Sequence, residues 1–250
     1  MIKAVFIDMD DTLIVNQVLY EKAQAVFSGY MHNFGITEEE LDNVFGQIDR
    51  ENFKTLGYSR ERMPSSFEKT LQHFIPDADA EMIATVRGFA EKIFTTVARV
   101  KPDVEDAFAL LSDHFPIYLV TQGDRTVQEN RVQHLPFKDL FAGIHIVDKK
   151  DTAVYSNLLQ KYGLTAEETV MIGDSLKSDI LPSVAVGMHA IWIEAHNSSL
   201  EAIPDNSRDH AHKYGSLLEA AVHLVIHGTP ERELHPVIAA RKQIAPKKSL

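Results

Sequence analysis

Five short apolar runs restrict this chain more than anything else in it: KAVFI (3–7), PIYLV (116–120), GIHIV (143–147), TVMI (169–172) and HAIWI (189–193). None alternates strictly between apolar and polar residues. Each therefore reads as a strand buried on both faces, as in a parallel sheet covered by helices. Helical segments lie between the runs. One runs from an Asp103 cap to about His114. A second starts at Thr152 and stops before Gly163, and a third opens on the capping box Ser216–Glu219 and closes at Gly228. Alternating strands and helices mean an α/β, doubly wound, Rossmann-like fold with a mostly parallel sheet.

The alternation breaks between residues 15 and 99, where four helical patterns follow one another without a strand. They cover 17–34 (Asn16 cap, Gly35 stop), 38–56 (Thr37–Glu40 capping box, Gly57 stop), 66–74 and 80–99. The chain thus divides into an α/β core (1–14 and 100–228), an inserted helical bundle (15–99), and a tail or helix (229–250). An insertion after the first strand sits over the crevice where such sheets bind ligands, so it is placed to act as a lid.

Every polar cluster with chemical potential follows a strand. Asp8-Met9-Asp10-Asp11-Thr12 follows the first and Thr121-Gln122-Gly123-Asp124 the second. Lys149-Lys150 follows the third, and Gly173-Asp174-Ser175, with Asp179 beyond it, the fourth. Parallel strand ends converge on one edge of the sheet. Three acids directly behind Ala4–Ile7 repel one another and are costly to desolvate unless a cation compensates. Asp174 adds a carboxylate from a separate strand, which gives enough hard oxygen donors for Mg²⁺. Asp8 and Asp10, two residues apart, suit a nucleophile with a neighbouring general acid/base.

The net charge of −11 and the absence of clustered Lys and Arg argue against a nucleic-acid surface. No cysteine is present, so disulfides and thiolate chemistry are excluded. The N-terminal apolar run is too short for a signal sequence, and no apolar run approaches the ~20 residues of a membrane span. The expectation is a cytoplasmic protein, monomer or homodimer, with neither nucleic acid nor membrane as a partner.

DMDDT (8–12), Thr121, the Lys149/Lys150 pair and GDSLKSD (173–179) resemble, in order, the four motifs of the haloacid dehalogenase superfamily. The helical insertion resembles that family's four-helix type of cap. The resemblance implies an Mg²⁺-dependent phosphohydrolase acting on a small phosphorylated metabolite. Asp8 would form an aspartyl-phosphate, and Asp10 would protonate the leaving group and then activate water. Thr121 would bind phosphate oxygens, and a lysine would pair with Asp8 and the phosphate. Asp8, the Asp10 carbonyl and Asp174 would hold Mg²⁺, with Asp179 in support.

Gln122 stands where the family usually has Asn, as a substrate or backbone contact. Spacing from Asp151 and Tyr155 favours Lys150 as the motif lysine, and a variant of the motif favours Lys149. Asp179 reads equally as metal support or as the N-cap of the next helix. Asp10 argues against dehalogenation, because halide leaves without a proton. A phosphotransferase or phosphomutase, or a binding protein on a retired scaffold, would share the same architecture.

Asp11 and Asp124 read as cap or turn residues, and the pairs His210/His212 and His223/His227 as ordinary histidines. Arg50, Lys54, Arg60, Arg62 and Lys69 read as a solvated helix face with a lesser case for substrate selection. Phe45, Phe53, Tyr58 and Phe67 read as bundle core, with room for one or two in the pocket.

Overall fold

The computed structural model describes residues 1–194, 203–204, 207 and 210–228; the segment from 229 onward lies outside the described residues. The strands are β1 (Ala4–Ile7), β2 (Ile117–Gln122), β3 (Phe141–Val147), β4 (Thr169–Gly173), β5 (His189–Ile193) and β6 (Ala211–Tyr214). They form one parallel sheet in the order β3-β2-β1-β4-β5-β6. The chain leaves β1 in one direction towards β3 and returns to build β4 to β6 on the other side. The strand order therefore reverses beside β1, and the crevice opens at the carboxyl ends of β1, β2 and β4.

Two apolar layers explain the continuous runs. Val5, Ile7, Leu119, Ile172 and Ile191 pack on helices α5 (Val104–Ser112), α6 (Arg125–Gln133) and α9 (Leu217–His227). Ala4, Phe6, Tyr118, Val120 and Met171 pack on α7 (Thr152–Tyr162) and on Met188, just beyond α8 (Leu181–Val184). Adjacent residues of β1 thus face opposite layers and both are buried, which removes the alternation.

Residues 17–95 hold α1 (Gln17–His32), α2 (Glu38–Leu56), α3 (Arg62–Phe74) and α4 (Ala80–Thr95), which bury a core of their own around Phe27, Met31, Phe67 and Val86. The capping box expected at Thr37 and Glu40 forms, and Gly163 ends α7 in the left-handed conformation at φ 63°. Helix α3 begins at Arg62 rather than 66, because Pro64 falls within the first turn, where no intrahelical donor is needed. Helix α4 stops at Thr95 rather than 99. The following residues instead pair with the outgoing chain: Val15 N donates to Arg99 O (2.8 Å) and Lys101 N to Leu13 O (2.9 Å). The two crossings between core and bundle are therefore laced together.

Three expected caps differ. The Asn16 side chain makes no cap bond; Asp11 accepts from Asn16 N and Gln17 N, each at 2.9 Å. The Asp103 side chain does not cap α5 and accepts instead from Leu218 N of α9 (3.2 Å). Asp179 does not cap α8. It lies buried in the preceding turn, Leu176–Ile180.

Candidate active site

The chain leaves β1 with Asp8 N still bonded to Ile172 O of β4 (2.9 Å). It then turns tightly, with Leu13 N and Ile14 N both donating to Met9 O. Asp11 takes a positive φ of 58°, which Asp tolerates better than most residues, and its carboxylate spans the turn to α1. The turn sends Asp8 and Asp10 to different partners.

Asp8 faces β4 and β3. Lys150, 5% exposed, reaches across from the end of β3 to donate to Asp8 Oδ1, and to Asp179 Oδ1 at 2.6 Å. Thr12 Oγ1 donates to Asp8 Oδ2 at 3.3 Å and lies 3.5 Å from Asp174 Oδ1. Asp179 is fully buried, and its Oδ2 accepts from Ser175 N (3.0 Å). Gly173 is required here, since any Cβ would collide with the Asp179 carboxyl. Lys149 is exposed on the neighbouring surface. Of the two candidate lysines, the fold brings Lys150 to the acids.

One carboxylate oxygen from each of Asp8, Asp174 and Asp179 lies within 4.8 Å of the other two. Burial, with Asp8 and Asp179 alongside, pushes the Asp174 carboxyl up to about 8. Burial also raises Asp179, to about 6, although Lys150 pulls the other way. Burial would lower the Lys150 ammonium; Asp179 and Asp8 outweigh it and hold the group above its usual range. Three carboxylates held this close, two of them pushed up by burial, form a donor set suited to a hard divalent cation. Among the described residues this is the one such cluster, and neither histidine pair contributes.

Asp10 points elsewhere. Its Oδ1 accepts from Arg131 Nη1 (2.7 Å) and its Oδ2 from Gln128 Nε2 (2.8 Å), both on α6. Its carboxylate thus lies outside the metal-type cluster of Asp8, Asp174 and Asp179, which leaves its backbone carbonyl as the part expected to serve a metal. Burial pushes the Asp10 carboxyl above its ordinary range, and the Arg131 guanidinium opposes that shift. Gln128 Nε2 also lies 2.6 Å from Thr121 Oγ1, so α6 links the ends of β1 and β2. The Gln122 side chain accepts from Lys150 N (2.7 Å) and fixes the lysine's backbone. Asp124 caps α6, accepting from Thr126 N and Val127 N.

Asp8, Asp10, Gln122, Gln128, Arg131, Lys150, Asp174 and Asp179 line a cleft of about 400 Å³ between the strand ends and the bundle, with Thr12 and Thr121 buried behind it. Its upper wall carries Gln17, Tyr20, Gln24, Asp49, Tyr58, Arg62 and Phe94. Of Arg50, Lys54, Arg60, Arg62 and Lys69, Arg62 alone lines this cleft, paired with Asp49 at 3.3 Å and lying over the Phe53 ring. Arg60 pairs with Glu91 and Lys54 with Glu51, while Lys69 donates to Asn52 Oδ1. Phe67 stacks on Phe27 in the bundle core and Phe45 packs beside it; Tyr58 reaches the cleft.

Gln128, Arg131 and Tyr20 were not foreseen from the sequence, and Thr12 was singled out only as part of the first motif. The one available signal was the i, i+3 spacing of Gln128 and Arg131 on a helix that starts at a strand end, which turns both towards the same edge.

A family model described as a haloacid dehalogenase-like hydrolase matches residues 2–187. A glyceraldehyde 3-phosphate phosphatase from Pyrococcus furiosus is 24% identical over 201 residues, covering 77% of this chain and 81% of the relative. A phosphoglycolate phosphatase from Aliivibrio fischeri is 29% identical over 144 residues, covering 53% and 63%. A haloacid dehalogenase-like hydrolase from Xanthomonas campestris superimposes with a TM-score of 0.77 at 25% identity, covering 90% of this chain and 91% of that one.

Proposed function

Because the chain belongs to the haloacid dehalogenase-like hydrolases, we propose that it is an Mg²⁺-dependent phosphohydrolase cleaving a small phosphomonoester through an aspartyl-phosphate. The observation that carries this reading is the separation of two carboxylates at one cleft. Asp8 stands with a lysine in the metal-type cluster, and Asp10 stands outside it with its own donors. A dehalogenase needs the first and has no use for the second, since halide departs unprotonated.

Asp8 attacks phosphorus and carries the phosphoryl group. Lys150 neutralises charge on Asp8 and on the incoming phosphate, and Thr121 with nearby backbone donors binds the phosphate oxygens. Asp10 protonates the departing oxygen, then takes a proton from the water that releases phosphate. Asp8, the Asp10 carbonyl and Asp174, with Asp179 behind them, would hold Mg²⁺. When bound, it offsets the negative charge of the transferring group. Residues 15–99 act as a cap over the cleft, swinging on the laced crossings at 13–15 and 99–101 to exclude water and select the substrate.

The size of the cleft fits a metabolite rather than a polymer. The phosphatases named above, which act on glyceraldehyde 3-phosphate and phosphoglycolate, support a small phosphorylated substrate. Phosphate release from a panel of phosphomonoesters, in Mg²⁺ and in EDTA, tests the reading. Mg²⁺-dependent release that disappears in Asp8→Asn is the expected result, and no release from any ester by the folded, Mg²⁺-binding protein would overturn it.

A further inference from the structure

Arg131 is 9% exposed, yet it is not part of the apolar layer that α6 contributes through Val132. Burying a guanidinium is costly unless partners compensate, and the partners here converge on Asp10. Arg131 Nη1 serves Asp10 Oδ1 and Gln128 Oε1 (3.1 Å), and the guanidinium also interacts with the Tyr20 hydroxyl on the cleft's upper wall. With Gln128 on the other oxygen, Arg131 fixes the plane of the Asp10 carboxyl. Each oxygen still keeps a lone pair for a proton.

We propose that Arg131 is a positioning residue for proton transfer: it holds Asp10 aimed at the departing oxygen of the substrate. The inference rests on the reading of Asp10 as general acid given above. The transfer itself is balanced within the reaction. The Asp10 proton goes to the leaving oxygen as its bond to phosphorus breaks, and Asp10 recovers a proton from the hydrolytic water. Arg131 neither gives nor receives one.

A residue that acts on proton delivery matters in proportion to the leaving group's need for a proton. An alkyl phosphate must be protonated as it leaves, whereas 4-nitrophenolate departs without help. General acid catalysis contributes about 10²–10⁴-fold, and small misplacements of a catalytic group forfeit a large part of such a factor. Loss of Arg131 is therefore selective for the poor leaving group, whereas a merely structural role would lower both rates together.

The test compares kcat and KM on glycerol phosphate and on 4-nitrophenyl phosphate for wild type, Asp10→Asn, Arg131→Ala and Arg131→Lys in Mg²⁺. Arg131→Ala should lose at least about tenfold more kcat on the alkyl ester than on the nitrophenyl ester, with KM nearly level on both. Arg131→Lys should show the same selectivity at smaller size. Gln128→Ala, which also frees Thr121, should lower both rates. Equal losses on the two esters in Arg131→Ala and Arg131→Lys overturn the proposal. If the alanine variant does not fold, the lysine variant decides alone, since a loss equal on both esters overturns it. Asp10→Asn separates the two levels of inference: without ester selectivity there, the general-acid reading itself fails and the proposal falls with it. Selectivity in Asp10→Asn but not at Arg131 removes only the proposal.

Discussion

Replacing Lys150 by methionine keeps the stem and removes the charge. What remains is Asp8, 4% exposed, and Asp179, fully buried, facing each other with no cation between them. Removing one partner of a buried ion pair typically costs about 3–5 kcal/mol. The structure supplies an independent bound. The two carboxylates can share one proton in place of the lysine, and protonating a carboxyl of ordinary pKa at pH 7 costs about 4 kcal/mol. The two figures agree, and in a chain of this size the loss corresponds to a fall in Tm of roughly 8–16 °C. The bound also sets a pH dependence. The folded variant keeps a proton that the unfolded chain has already lost at neutral pH, so its stability rises as pH falls. Relative to wild type, in which Asp179 at about 6 itself takes up a proton over part of this range, the deficit should shrink by about 2 kcal/mol between about pH 7.5 and 5.5. Trp192 is the single tryptophan, and its Nε1 donates to Asp174 O (2.7 Å), so its fluorescence reports unfolding of the site. Urea unfolding of both proteins in EDTA at the two pH values is the assay. A deficit below about 1 kcal/mol, or one independent of pH, would refute the claim that the ammonium compensates these acids.

Asp174, pushed up to about 8 by burial and by Asp8 and Asp179, and Asp179, at about 6, both hold protons in the folded state that the unfolded chain releases near pH 4. The metal-free protein should therefore lose stability as pH rises from about 5 through 8, and Asp174→Asn should flatten that loss while abolishing the rise in Tm given by Mg²⁺. Gly173→Ala should cost about 1–3 kcal/mol in unfolding experiments, because its Cβ displaces the Asp179 carboxyl, and it should weaken Mg²⁺ binding measured by titration calorimetry. Arg62→Ala removes a wall of the cleft remote from the reacting groups. It should raise KM for the preferred ester more than it lowers kcat, which steady-state kinetics will show.

How much of this was legible depended on burial. Four of the runs announced β1, β2, β4 and β5 because apolar layers cover both faces of those strands. The third run, expected to be buried on both faces, is instead the edge strand β3, with Ala142 and Ile144 exposed. Strand β6 escaped because it pairs only with β5 and reads Ala-His-Lys-Tyr, with its two middle residues half-buried. The start of α3 was hidden by Pro64, which looks like a breaker until the first turn is placed. At the site, Asp8, Asp174 and Lys150 were visible because each follows a strand end in a parallel sheet. The choice between Lys149 and Lys150 needed the backbone, since adjacent residues after β3 face opposite ways and one of them meets Gln122. Asp179 carried two readings, and its burial against Lys150 excludes the cap. Gln128 and Arg131 gave only their i, i+3 spacing as a signal, and a polar pair on a short helix otherwise looks like a solvated face. Only the packing of α6 against the strand ends turns it inward.

The claim that Asp8 carries the phosphoryl group is tested most directly by intact-mass and peptide-mass measurement of Asp10→Asn after reaction with 4-nitrophenyl phosphate and Mg²⁺. Without Asp10 to activate water, the second half-reaction slows, and the protein should gain the mass of one phosphoryl group, on the peptide containing Asp8 and not in Asp8→Asn. Turnover by the wild type with no covalent adduct at Asp8 under these conditions, or an adduct on another residue, would contradict it.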